Sequence, residues 1–194
     1  MEELEKGLEI PVFNLVLSIS NTADLVSPLL VDHHKQVGYI ANALADEMGL
    51  PIEEQNEIML AGLLHDMGGI SLQEREDALT FEDKDEQFHA KLGYVLFKDF
   101  PPFFKIGDLI KYHHTWWERT QSKVPLGSHI IHLADRVAVS INKNIPILEQ
   151  TDYIVKKIRH QSGSMFMPEV VEAFSALAQK EYFWFDIVSQ YIVP

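Results

Sequence analysis

Apolar positions along this chain return at steps of three and four, the spacing of one buried face of an α-helix. Leu30, Val37, Ile40, Ala41 and Leu44 predict a helix with Ser27 and Pro28 as N-cap and first residue. It stops before Gly49 and Pro51. A second helix is predicted through "IEEQNEIMLAGLLHDM" (52–67), ending on Gly68–Gly69. The run "QEREDALTFEDKDEQ" (73–87) reads as an exposed loop leading into a helix with Phe88, Leu92, Val95 and Leu96. Pro101–Pro102 closes that helix and "FFKIGDLIKYHH" opens another. "TWWERTQSKVPLG" reads as a loop. "SHIIHLADRVAVSI" is apolar nearly all round, the mark of a central buried helix. Further helices are expected near 151–160, from Pro168 onward, and in "YFWFDIVSQYIVP". No alternating strand pattern, internal repeat or low-complexity linker interrupts this series, so the expectation is a single all-α domain over 1–194.

Composition narrows the function. A chain of 194 residues with 46% hydrophobic and 23% charged residues is an ordinary globular chain. It lacks a run of about 18 apolar residues, so no membrane-spanning helix is expected. "MEELEKGLEI" has no signal-peptide pattern, and with no cysteine there are neither disulfides nor thiolate ligands; both suit a cytoplasmic protein. The net charge of −13 argues against a nucleic-acid polymer as partner. A small phosphorylated ligand stays open, because bound cations reverse the local sign of charge.

Polar residues on apolar faces carry the candidate chemistry. His33 lies on the buried stripe of its helix, His65–Asp66 end the next apolar stretch, His89 follows Phe88, and His113–His114 end another helix. Asp135 sits in "IIHLADRVAV" among apolar neighbours, with Arg136 expected to point about 100° away around the helix. Each histidine alone has a bland reading as a hydrogen-bonded core residue. A buried carboxylate without a cation is costly, however. Histidines and aspartates converging from several helices would hold metal, and imidazole with carboxylate suits Fe, Mn or Zn. Six or seven candidate ligands exceed the needs of one ion. Two ions sharing a carboxylate account for them, an arrangement suited to phosphate-ester hydrolysis.

The order His33, His65–Asp66, Asp135 resembles the H…HD…D signature of the HD superfamily of metal-dependent phosphohydrolases. With His89 and His113–His114 it is similar to the HD-GYP branch, whose members hydrolyse cyclic di-GMP. "LLHDMGGI" resembles LLHDIGKI, "HAKLG" resembles HPxxG, "VPLGSHIIHLAD" resembles IPLxARIxxVAD, and "SGSMFMPEVVEAF" resembles SGxxFDPxVVxAF. The likeness covers roughly residues 27–180. It implies a helical bundle with metals between its central helices. It also implies a first ion on His33, His65, Asp66 and Asp135, and a second on Asp66, His89, His113 and His114. Asp66 would bridge the two and help orient the hydroxide that attacks phosphorus. Two divalent ions are expected, Fe or Mn first, with Zn, Ni or Mg also open. The glycines after Asp66 are expected to let the chain turn sharply away.

Departures from the family pattern fall on substrate recognition. The lysine of HDxGK is Gly69, and "HHTWWERTQSKVP" lacks the Gly-Tyr-Pro segment. A third-metal glutamate is Leu29, and the arginine of "ARI" is His129. Trp116, Trp117, Arg119 and Lys123 are candidate replacements, with an indole stacking on a base and the cations meeting phosphate; the alternative is that both tryptophans only cover the core. His129, Arg136 and Lys143 are further candidates, with a solvated or salt-bridged role as the alternative for the last two. The run 73–87 is either a solvated face or a lid. The expected function is a phosphodiesterase acting on a cyclic dinucleotide or related nucleotide. The alternative is a catalytically weak nucleotide-binding or signalling module that keeps the metal site. A homodimer or a following signalling domain is a further expectation.

Overall fold

The computed structural model describes residues 11–25, 31–69, 87–120 and 123–189. All the regular elements among them are helical, apart from one isolated bridge between Ser162 and Phe166. In chain order they are α1 (Val12–Asp24), α2 (His33–Glu47), α3 (Ile52–Leu64), α4 (Gln87–Phe97), a 3-10 turn (Pro101–Phe103), α5 (Phe104–Lys111), α6 (Trp117–Thr120), α7 (Leu126–Ser140), α8 (Ile147–His160), α9 (Pro168–Leu177) and α10 (Glu181–Ile187). Among the described residues, no helix is long and apolar enough to cross a membrane.

The centre is α7, buried continuously from Gly127 to Ala138 as its all-round apolar sequence requires. Ile130, Ile131, Leu133, Ala134 and Val137 are fully enclosed, and each large aliphatic side chain so buried contributes about 1.5–3 kcal/mol. Around α7 pack α2 and α3, with α5 against both α3 and α7, and α4 laid on α5. The α2–α3 crossing is close because two glycines face each other there: a Cβ on Gly62 would stand 3.1 Å from the Cα of Gly38. That approach brings the start of α2 beside the end of α3. On the far side, α10 seats Phe183, Trp184 and Ile187 in the core. It is tied to α2 by Gln36 donating to the Ile187 carbonyl (3.2 Å) and Tyr39 to Asp186 (3.0 Å).

Several boundaries differ from the sequence expectation. The helix at 52–67 ends at Leu64, so His65 and Asp66 lie in the turn that follows. The stretch read wholly as a loop after His114 contains α6, which is docked on the 161–166 turn. There Trp117 and Glu118 amides donate to the Met165 and Ser164 carbonyls at 3.1 and 2.9 Å. Helix α8 begins at Ile147, behind Pro146, rather than near 151. Helix α1 was not foreseen: "VFNLVLSISNTAD" has apolar residues on several faces and no side-chain cap to mark its start. Ser27–Pro28, Leu29 and the run 73–86 lie outside the described residues.

Candidate metal centre

Four pieces of the chain meet where α2 begins, α3 ends, α4 passes and α5 ends, with the middle of α7 beneath. They contribute His33, His65–Asp66, His89, His113–His114 and Asp135, all buried. The Asp66 carboxylate sits in the middle. Its Oδ2 lies 3.2 Å from His65 Nε2 and 3.9 Å from His33 Nε2. Its Oδ1 lies 3.2 Å from His89 Nε2 and 3.6 Å from His113 Nε2. Asp135 Oδ1 faces the same pair as Oδ2 of Asp66, at 3.4 Å from His33 Nε2 and 3.7 Å from His65 Nε2. On the other side, His89 Nε2 and His114 Nε2 are 2.8 Å apart. One carboxylate therefore divides seven side chains into two lobes.

Backbone carbonyls fix which ring nitrogens face inward. His65 Nδ1–H donates to the Gly62 carbonyl (2.8 Å) and His113 Nδ1–H to the Ile110 carbonyl (2.6 Å), which turns Nε2 of each ring inward. Burial works against charge on Asp66, but His65 beside it, with His113 and His89 close by, holds its carboxyl well below the usual range. Burial works against Asp135 too, and Arg136, then His33, hold it well below the same range. The His65 ring, pushed down by burial, is carried up to about 9 by Asp66 beside it and by Asp135. Burial lowers His113, and burial with the neighbouring His113 lowers His114 further, so these rings are neutral near pH 7.

The donor set fits a cation. His33 Nε2, His65 Nε2, His113 Nε2, Asp66 Oδ1 and Asp135 Oδ1 are buried without a hydrogen-bond partner among the described residues. Leaving such groups unsatisfied costs about 1–3 kcal/mol each. Two donors about 2.1 Å from one ion stand about 3.0 Å apart at right angles and about 4.2 Å apart when opposite. The separations here run from 2.8 to 3.9 Å. Two groups have every ligand atom within 4.8 Å of the others: Asp66, His89, His113 and His114 in one, His33, His65 and Asp66 in the other. Their mixed nitrogen and oxygen character suits Fe, Mn or Zn.

Two expectations need correcting. Arg136 does not point away from Asp135: Nε and Nη2 both donate to Asp135 Oδ2, at 3.1 and 2.5 Å. Both residues are 1% exposed. A side chain four bonds long can fold back across the turn between neighbouring positions, which Cα–Cβ directions alone do not reveal. Nor do Gly68 and Gly69 adopt the left-handed backbone that would explain a sharp turn. Gly68 is needed for proximity instead, since a Cβ there would lie 2.0 Å from the His89 carbonyl oxygen and 2.4 Å from the Gly93 amide nitrogen.

Among the other candidates, Arg119 stacks its guanidinium 4.8 Å from the Trp116 ring centre, and half-buried Trp116 packs on the core. Trp117 is half-buried and meets the buried His129 edge-on, with 5.3 Å between ring centres. Lys123 is exposed, and Lys143 donates to the Val31 carbonyl at 2.8 Å. Three residues escaped the sequence reading. His34 pairs through Nδ1 with Asp24 of α1, and its ring centre is 5.3 Å from that of His65. The pairing joins two helices, so no sequence spacing announces it. His132, one turn before Asp135, is buried with both ring nitrogens lacking a partner among the described residues. It stands beside His114 and Phe166. The signal that exposed Asp135, a polar group on an all-round apolar helix, applied to it equally.

Comparison with known proteins agrees with this geometry. A family model for the HD domain matches residues 30–140, a span holding all seven side chains. The chain is 27% identical over 188 residues to 3'3'-cGAMP-specific phosphodiesterase 1 of Vibrio cholerae, covering 90% of this chain and 43% of that one. It is 28% identical over 166 residues to a cyclic di-GMP phosphodiesterase of Thermotoga maritima, covering 76% and 44%. It therefore spans less than half the length of either relative. A crystal structure of a cyclic GMP-AMP specific phosphodiesterase from V. cholerae (V-cGAP3) shares the fold, with a TM-score of 0.73 at 17% identity over 93% of this chain and 52% of that one.

Proposed function

This chain belongs to the HD-domain family, and from that premise we propose that it is a metal-dependent phosphodiesterase acting on a cyclic dinucleotide, cyclic di-GMP or a related nucleotide. One observation carries the reading: Asp66 turns one oxygen to His33 and His65 and the other to His89 and His113. We assign His33, His65, Asp66 and Asp135 to one divalent ion and Asp66, His89, His113 and His114 to a second, Fe or Mn in preference to Zn, Ni or Mg. Bound there, such ions supply a nucleophile from water at neutral pH and offset charge developing on phosphoryl oxygen. The chain's own part is to turn Nε2 of His65 and His113 inward, by the carbonyls of Gly62 and Ile110, and to keep both carboxylates ionised. The half-buried Trp117 is the proposed base-stacking side chain, and Lys123 the proposed phosphate contact. The relatives' printed activities on cyclic dinucleotides support the substrate class.

The test is hydrolysis of cyclic di-GMP and 3'3'-cGAMP by protein stripped of metal and reloaded with Mn²⁺ or Fe²⁺, with products separated by chromatography. Metal-dependent appearance of linear dinucleotide is expected. Fully loaded protein that turns over neither compound rejects the proposal. Tight binding without turnover favours the second reading, a nucleotide-binding module that has lost catalysis. Its specific motive is Gly69, where the family pattern carries a lysine.

A further inference from the structure

The two carboxylates of the centre are treated differently by the protein. Among the described residues, Asp66 is paired with imidazoles alone, and both its oxygens face ligand nitrogens. Asp135 has one oxygen committed: Oδ2 accepts from Nε and Nη2 of Arg136, while Oδ1 remains directed at His33 and His65. The guanidinium is buried with it and is always charged.

Resting on the two-ion reading, we propose that Arg136 is a built-in counter-ion to Asp135. It keeps that carboxylate aligned when no ion is bound, and it makes the position among His33, His65, Asp66 and Asp135 the weaker, exchangeable member of the pair. The reasoning has two parts. A buried carboxylate left without a partner destabilises the fold strongly, so the guanidinium lets the pocket stay assembled without metal. Once a divalent ion arrives, the same positive charge repels it and restricts Asp135 to a single donor oxygen. Removing a group that bonds to a metal ligand ordinarily lowers affinity by about 10–100-fold; here the partner carries a positive charge beside the incoming cation, which reverses the direction. The lobe of His89, His113 and His114 has no carboxylate held in this way among the described residues.

Metal-stripped wild type, R136Q and R136K are titrated with Mn²⁺, and free ion is counted by electron paramagnetic resonance. Glutamine removes the charge but keeps a donor for Oδ2; lysine keeps the charge. Wild type should show two classes of site. R136Q should tighten the weaker class at least tenfold, and R136K should stay within threefold of wild type. An R136Q isotherm that is unchanged or weaker overturns the proposal, as does equal tightening by R136K. If stripped R136Q is unfolded, refolding on Mn²⁺ addition supports the proposal and failure to refold counts against it. Wild type that binds no Mn²⁺ removes the metal-centre reading itself, whereas wild type with two classes and an indifferent R136Q removes this inference alone.

Discussion

Replacing Gly68 by alanine tests the geometry of the centre without touching a ligand. The new Cβ would lie 2.0 Å from the His89 carbonyl oxygen and 2.4 Å from the Gly93 amide nitrogen, against a floor of 3.0 Å for real Cβ contacts. Both obstacles are backbone, so no side-chain rotation relieves them. Helix α4 must retreat by about 1 Å, carrying His89 away from Asp66 Oδ1 and His114 Nε2, now at 3.2 and 2.8 Å. Metal–ligand distances tolerate about 0.2 Å, so the displacement is about five times what the second ion's shell absorbs. Overpacking of this kind costs about 1–3 kcal/mol, which for a domain of this size lowers Tm by about 2–12 °C. G68A should therefore fold with a reduced Tm, bind one Mn²⁺ per chain at equilibrium with excess Mn²⁺ where wild type binds two, and lose about 100-fold in turnover. Metal content by plasma mass spectrometry and Tm by calorimetry read both effects. G49A is the control: Gly49 has φ +71° and nothing within 4 Å of its would-be Cβ, so it should lose stability but keep both ions. A G68A protein with wild-type Tm and two ions would refute the reasoning.

Other outcomes follow from the same arrangement. Asp66→Ala should abolish retention of both ions, whereas His89→Ala should lose mainly the second; equal loss of both from H89A, in equilibrium dialysis with Mn²⁺, contradicts the division into lobes. In the metal-free protein His65 titrates near 9, so below that pH an incoming ion displaces its proton. Apparent affinity should accordingly rise by up to about tenfold per pH unit between 7 and 9 and flatten above. Calorimetric titration in two buffers of different ionisation enthalpy counts the released proton, and a pH-independent affinity contradicts the assignment. His132→Leu exchanges two buried ring nitrogens without a hydrogen-bond partner among the described residues for an apolar side chain. Denaturant unfolding should show stability unchanged or raised by about 1 kcal/mol, and a loss above about 2 kcal/mol would count against an unsatisfied imidazole.

Much of this protein was legible before folding was considered. The all-round apolar run "SHIIHLADRVAVSI" located the central helix, which the structure extends back to Leu126, because a segment apolar on all sides has nowhere to go but the middle. The same logic singled out Asp135 and the six other side chains, since a buried charge or imidazole needs a partner. Prolines 101, 102, 125 and 168 stand at helix starts as their missing N–H dictates. Sequence failed where periodicity was blurred, as in α1, and where a side chain's reach exceeded its Cα–Cβ direction, as in Arg136.

The residue types and their order determined a helical protein with a set of nitrogen and oxygen donors, because those properties are local. Which donors share a lobe, that Asp24 closes on His34, that Gly68 is required by a neighbouring backbone and that Arg136 turns back onto Asp135 were decided only by tertiary structure. Each of these is a contact within a few ångströms between atoms whose separation along the chain carries no information about their separation in space.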